Sequence, residues 1–268
     1  MKIGFIGTGN MGSSIIKGIL SSKFEENENI NIFDLDKDKV NNLVKEYGIN
    51  AVNSEKELAK NCDIIILSVK PHIIPIVLKN LSGNVKKDTI ILTIAAGISI
   101  SVIENALGED KKVVRTMPNT PAQVLSGMTA VTFNKNIENS EKEIIFKLLN
   151  SFGKSVEIEE KLMHAYTGIS GSLPAYVYMF MEALADGGVL CGMPRNKAYE
   201  IVAQTVAGSA KMLLETGKHP GQLKDEVCSP AGTTIEAVRV LENGNFRGNV
   251  IEAVVACTEK SKEMAGEK

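Results

Sequence analysis

The sequence predicts a mainly parallel, doubly wound α/β sheet in its first 160 residues, followed by an all-α region over residues 161–268. Three observations carry this. Short β-branched runs alternate with amphipathic stretches, a glycine-punctuated turn follows the first run, and strand-like alternation disappears after about residue 161. Strands are expected at Lys2–Ile6, Ile30–Phe33, Ile64–Val69, Thr89–Thr93, Lys112–Met117 and Thr129–Phe133. Helical stretches separate them, among them Met11–Ser21, Lys37–Tyr47 and Glu55–Lys60. Strands alternating with helices imply right-handed crossovers and parallel pairing. Ile64-Ile65-Ile66-Leu67 lacks polar alternation, as a central strand covered on both faces does.

In the second half, Pro174 opens a long helix that reaches about Cys191, where Gly192 stops it. Another runs from Pro194 to about Thr216, with Gly217 as its stop. Tyr176, Val177, Tyr178, Met179, Phe180 and Met181 leave the first of these without a solvated face. A helix apolar all round is expected to be buried all round. A region of this size hardly encloses it alone, so a second copy of the chain is expected to cover it.

The apolar fraction, 44%, is that of a core-forming protein, and a formal net charge of −2 without a basic block argues against nucleic acid as a partner. No apolar run is long enough to cross a bilayer. Lys2 and Ile3 lead into Gly4-Phe5-Ile6-Gly7, which reads as a strand and its turn rather than a secretory leader. Cys62, Cys191, Cys228 and Cys257 form no C-x-x-C pair, fit a reducing cytoplasm, and read as small buried apolar residues. His72, His164 and His219 have no paired metal-ligand spacing, so no metal site is expected.

Gly7-Thr8-Gly9-Asn10-Met11-Gly12 is the sharpest local signal. Between a strand ending at Ile6 and a helix, G-x-G-x-x-G marks a Rossmann dinucleotide site. Gly7 permits the tight turn, Gly9 lets backbone approach a pyrophosphate, and Gly12 allows close helix–strand packing. The helix start then offers N–H groups to phosphate. An acidic residue is expected about twenty positions on, and Asp34 closes the second strand. It is read as the partner of the adenosine ribose hydroxyls, which favours NADH. The competing role, capping the helix near Lys37, suits Asp36 better, while Lys37 and Lys39 can attract the 2′-phosphate of NADPH.

Four further stretches carry a resemblance: Val69-Lys70-Pro71, the run Arg115–Ala122 (Arg-Thr-Met-Pro-Asn-Thr-Pro-Ala), Gly171–Tyr176, and Leu223–Ile235 with its Ser229-Pro230-Ala231-Gly232-Thr233-Thr234 core. In this order, over nearly the whole chain, they resemble the Δ1-pyrroline-5-carboxylate reductase family. The resemblance implies NAD(P)H-dependent reduction of a cyclic imine bearing a carboxylate, with L-proline as product. It implies that Thr234 bonds the ring nitrogen and relays a proton, while Ser229 and the N–H groups of Gly232 and Thr233 hold the carboxylate. Val69, Lys70, Ala95, Ala96 and Asn119 are implied on the nicotinamide side. A homodimer or higher homo-oligomer through the helical region is implied too.

Two positions depart from the family, which usually has glycine where Leu173 and Ala231 stand. A methyl at Ala231 disfavours a positive φ beside the carboxylate-binding turn. Glu182 and Asp186 share one helix face and are read as structural rather than as an acid–base pair. A β-hydroxyacid dehydrogenase would need a base such as Lys161, His164 or Lys197, none of which sits in a suggestive constellation; a non-catalytic dinucleotide sensor would not need the Ser229–Thr234 turn.

Overall fold

The first half builds eight strands into one sheet. The computed structural model describes residues 1–266, so the last two residues of the expected helical region lie outside the described residues. In chain order the elements are β1 (Ile3–Ile6), α1 (Asn10–Ser21), β2 (Ile30–Phe33), α2 (Lys37–Tyr47), β3 (Asn50–Ala51), α3 (Glu55–Asn61), β4 (Ile64–Leu67), α4 (Ile74–Leu81), β5 (Ile90–Thr93), α5 (Ile100–Leu107), β6 (Lys112–Met117), β7 (Gly127–Phe133), α6 (Asn139–Asn150) and β8 (Gly153–Glu157). A short helix α7 (Met163–Tyr166) runs into a π-helical turn at Thr167–Gly171.

The strand order is β3-β2-β1-β4-β5-β6-β7-β8. Pairing is parallel except between β6 and β7. The chain order reverses at β1, between β2 and β4, which opens a crevice at the carboxyl ends of these strands. All four residues of β4 are buried, and they divide between two cores. Ile64 and Ile66 join Ile15, Ile16 and Ile19 of α1 and Leu148 of α6. Ile65 and Leu67 join Leu58 of α3, Leu78 of α4 and Ile103 of α5. A sheet covered on both faces is what the unbroken apolar run predicts.

The helix ends follow their cap chemistry. The Asp36 carboxylate accepts the Lys39 N–H at 3.2 Å at the start of α2, and Gly48 ends it with a left-handed φ of 66°. Asp34 is thereby left free of capping duty. Two strands escape the sequence reading. The two residues of β3 are exposed, and β8 reads Gly-Lys-Ser-Val-Glu; both are edge strands whose existence depends on a pairing partner rather than on an apolar run.

The structure divides into two compact units. One holds Met1–Gly171 and the chain from Cys257; the other is Ser172–Ala256. The second contains α8 (Leu173–Leu190), α9 (Arg195–Thr216), α10 (Pro220–Val227), α11 (Thr233–Asn243) and the first part of α12 (Phe246–Met264). The far end of α12 belongs to the first unit, where the Ser261 hydroxyl and His164 Nδ1 lie 2.9 Å apart.

Within this single chain α8 is not enclosed: Ala185 is buried, whereas Tyr178 is 62% and Met179 70% exposed. The cysteine reading holds for Cys62 alone, whose thiol is pushed up to about 11 by burial first and by Asp63 second. Cys191 is exposed and Cys228 and Cys257 are half-buried, contrary to expectation. Cys191 and Cys228 are the C-caps of α8 and α10, where the chain turns out of its helix.

Candidate active site

The first unit concentrates its special backbone at the sheet's reversal point. Gly7 has φ of 98°, and a Cβ there would stand 2.7 Å from the Ser68 carbonyl oxygen, so only glycine fits. The turn is fastened from both neighbouring strands. The Gly7 N–H donates to Phe33 O at 2.9 Å, and the Ser68 hydroxyl donates to Gly7 O at 2.7 Å. Gly12 lies one turn into α1, where a Cβ would meet Gly7 O at 2.7 Å. Gly9 differs: a Cβ there meets no atom of the described residues within 4 Å, so packing within the chain does not demand glycine at this position. Gly9 is also the N-cap of α1, and no side chain caps the helix. An open cradle at an uncapped helix start fits a pyrophosphate. It adjoins a cleft of about 560 Å³ lined by Thr8, Gly9 and Asn10.

Asp34 stands at the end of β2 and reaches this turn. Its Oδ2 accepts the Thr8 N–H at 2.7 Å and the Thr8 hydroxyl at 3.0 Å, while Oδ1 accepts the Asp36 N–H at 3.0 Å. Burial works against the charged form, but the donors on Asp36 and Thr8 outweigh it, with Lys39 adding to them. Asp34 therefore titrates below the usual aspartate range.

The residues expected on the nicotinamide side follow the same sheet edge. Val69 and Lys70 come just after β4, Ala95 and Ala96 after β5, and Asn119 after β6. Val69 touches the turn, its Cγ1 lying 2.8 Å from where a Gly7 Cβ would be. Lys70 is exposed and extended before Pro71. The Asn119 side chain is engaged within the protein: Oδ1 accepts the Met128 N–H at 2.9 Å, and Nδ2 donates to Ser170 O and Oγ at 3.3 Å. Asn119 thus ties the loop after β6 to the π-helical turn, a role the sequence does not announce.

The second unit carries the other group of expected residues. Ser229-Pro230-Ala231-Gly232 forms a turn closed by the Gly232 N–H on Ser229 O at 3.1 Å. Proline at the second position and φ of 55° at Ala231 give it the form of a type II turn, whose third position favours glycine. α11 starts at Thr233, directly after this turn. Gly232 is its N-cap, and no side chain caps the helix. The Gly232 N–H is thus occupied, and the donors open to a ligand are those of the first turn from Thr233 onward. A Cβ on Gly232 would collide with Ser229 Oγ.

Other candidate groups are engaged elsewhere. Asp186 pairs with Arg195, Lys161 with Glu159 and Lys197 with Glu200. His164 is buried beside Ser261. The cleft includes Lys39, expected near the adenosine ribose, but the sequence reading missed Ser13, Lys17, Asn42, Tyr47 and Gln123 as lining residues. Ser13 and Lys17 recur on one face of α1 at i, i+4, the one signal that was available.

A glycine cradle feeding α1 at the reversal point of a parallel sheet defines a Rossmann dinucleotide-binding protein. Residues 2–97 match the family described as NADP oxidoreductase coenzyme F420-dependent, and residues 160–264 match Pyrroline-5-carboxylate reductase dimerisation. The chain is 49% identical to the pyrroline-5-carboxylate reductase of Escherichia coli over 98% of both chains. It superposes on the Plasmodium falciparum pyrroline carboxylate reductase with NADP bound at a TM-score of 0.89 and 37% identity, covering 99% of this chain and 98% of that one. For the Coxiella burnetii pyrroline-5-carboxylate reductase the values are 0.91 and 32%, covering 100% and 98%. The chain belongs to the pyrroline-5-carboxylate reductase family.

The glycines make separable predictions. Gly9→Ala should keep the native melting temperature yet weaken NADH and NADPH binding about tenfold, the loss of about one hydrogen bond to a charged group, since the methyl would stand in the expected pyrophosphate cradle. Gly12→Ala should lower the melting temperature, because its methyl meets backbone. Unchanged nucleotide affinity in Gly9→Ala, read by fluorescence titration, would remove the cradle assignment.

Proposed function

We propose that this chain reduces 1-pyrroline-5-carboxylate to L-proline with NAD(P)H. The observation that carries the reading is the Ser229–Thr234 turn, which offers hydroxyls at Ser229, Thr233 and Thr234 to an uncapped helix start in a chain that also has the glycine cradle. When bound, the reduced nicotinamide supplies hydride to the imine carbon. The polypeptide's share is positioning, exclusion of the wrong orientation, and one proton. The start of α11 holds the carboxylate through the Thr233 N–H, the positive end of the helix and the Ser229 hydroxyl. Gly232 contributes by having no side chain, so that Ser229 Oγ keeps its place. Thr234 donates to the ring nitrogen and passes it a proton.

On the cofactor side, Ile6, Gly7, Thr8, Gly9, Asn10, Met11 and Gly12 cradle the pyrophosphate, and Asp34 meets the adenosine ribose, which leans the chain towards NADH. Val69, Lys70, Ala95, Ala96 and Asn119 border the nicotinamide. The exposed apolar surface of α8, including Tyr178, Met179 and Leu184, supports a homodimer or higher homo-oligomer through the helical unit. The match to a dimerisation family over residues 160–264 supports the same assembly. Sedimentation at micromolar concentration should return a dimer or larger, and a monomer would contradict it. Four widely spaced cysteines without a C-x-x-C pair agree with a cytoplasmic setting.

The test is an assay of pyrroline-5-carboxylate with NADH and NADPH in parallel, on the native chain and two variants. Thr234→Ala should lower kcat by about 10²–10⁴ while nucleotide affinity stays native, the range expected for losing a positioned proton donor. Gly232→Ala should raise KM for the imine about tenfold, since its methyl displaces the Ser229 hydroxyl, one hydrogen bond to a charged group. Consumption of hydroxy acids in oxidation, with none of the imine, would overturn the reading.

A further inference from the structure

The adenosine end of the cleft holds an acidic residue most of whose acceptor capacity is already taken up within the chain. A carboxylate that recognises a ribose does so best with both oxygens open, one for each hydroxyl. Here Oδ2 of Asp34 already takes two hydrogen bonds from Thr8, and Oδ1 takes one from Asp36. Oδ2 is thereby filled, and Oδ1 keeps a single acceptor position. Thr8 is itself held fast: it is 3% exposed, and its carbonyl accepts the Ser13 hydroxyl at 3.0 Å. Its hydroxyl is therefore a fixed donor. It draws the carboxylate into the glycine turn and offsets part of its charge.

Cations surround the same corner. Lys39 reaches Asp36 at 3.1 Å and lines the cleft together with Lys17. Lys37 Nζ approaches the Asp34 carbonyl oxygen at 3.4 Å. A dianionic 2′-phosphate would meet a carboxylate partly neutralised by donors and flanked by lysines, so the repulsion that excludes it from an acid-terminated β2 is blunted. A ribose with a free 2′-hydroxyl would find one acceptor position where an unengaged aspartate offers more.

Resting on the reading of the cleft as the nucleotide site, we propose that Thr8 is a specificity-determining residue. Its hydroxyl occupies Asp34 Oδ2 and makes the chain tolerant of both NADH and NADPH. Asp34 alone is the NADH-favouring group, and Thr8 is its attenuator.

The test is a fluorescence titration of NADH and of NADPH, a binding readout independent of turnover. The variants are Thr8→Val, which keeps the shape without the hydroxyl, Thr8→Ala, which guards against misfolding of the first, and Thr8→Ser, which restores the hydroxyl. Both hydroxyl-free variants keep the residue-8 N–H bond to Asp34. The ratio of the NADPH to the NADH dissociation constant should rise about three- to tenfold in Thr8→Val and Thr8→Ala, as expected when one hydrogen bond to a carboxylate is released. Thr8→Ser should restore the native ratio. In an Asp34→Asn background the Thr8→Val change should leave the ratio unmoved, because no charge remains to be released. An unchanged ratio, a shift towards NADPH, or an equal fall in both affinities would overturn the role of Thr8 alone. Failure of the native chain to bind either nucleotide would overturn this role together with the cleft assignment on which it rests.

Discussion

The backbone of Gly7 lies against the Ser68 carbonyl so closely that no side chain fits between them. Most of the first unit's functional geometry depends on that contact. It brings the end of β1 against the end of β4 at the place where the sheet's order reverses, and it aims the start of α1 into the crevice. Ser68 fastens the turn from one side and Phe33 from the other. Gly12 then lets α1 settle on the turn, and Gly9 is left bare toward open space. Gly7 and Gly12 satisfy packing demands of the polypeptide, whereas no such demand falls on Gly9.

The second unit offers a helix start as well, the element proposed to hold the carboxylate, but prepares it differently. Pro230 sets the second position of a turn, and the third must take a left-handed backbone. Ala231 adopts φ of 55° there, at a position better suited to glycine. A strained alanine held in this conformation shows that the surrounding turn dictates the geometry. The consequence is that Gly232 closes the turn with its own N–H, so the donors offered outward begin at Thr233. The departure at Ala231 therefore carries a cost in backbone conformation.

What was legible in the residues follows from how local each determinant is. The unbroken apolar run of β4, the glycine turn before α1 and the cap at Asp36 are fixed by a few neighbours, and each was readable. The edge strands β3 and β8 have no apolar run of their own and exist because β2 and β7 offer them partners. The engagement of Asp34 by Thr8 joins residues 26 positions apart, and the tie of Asn119 to Ser170 spans 51; neither spacing has a sequence signature. Cys191 and Cys228 were misread because residue type predicts burial only on average, while both sit at helix ends. The apolar circumference of α8 was legible, yet the chain by itself leaves it uncovered.

In the proposed function a small ring carboxylate is held at the start of α11 and a dinucleotide at the start of α1. A crystal grown with NADH and L-proline examines both at once. The amino acid's carboxylate should lie about 2.7–3.1 Å from the Thr233 N–H and the Ser229 hydroxyl, the range of ordinary hydrogen bonds. Density for that molecule lodged away from Ser229–Thr234 would contradict it.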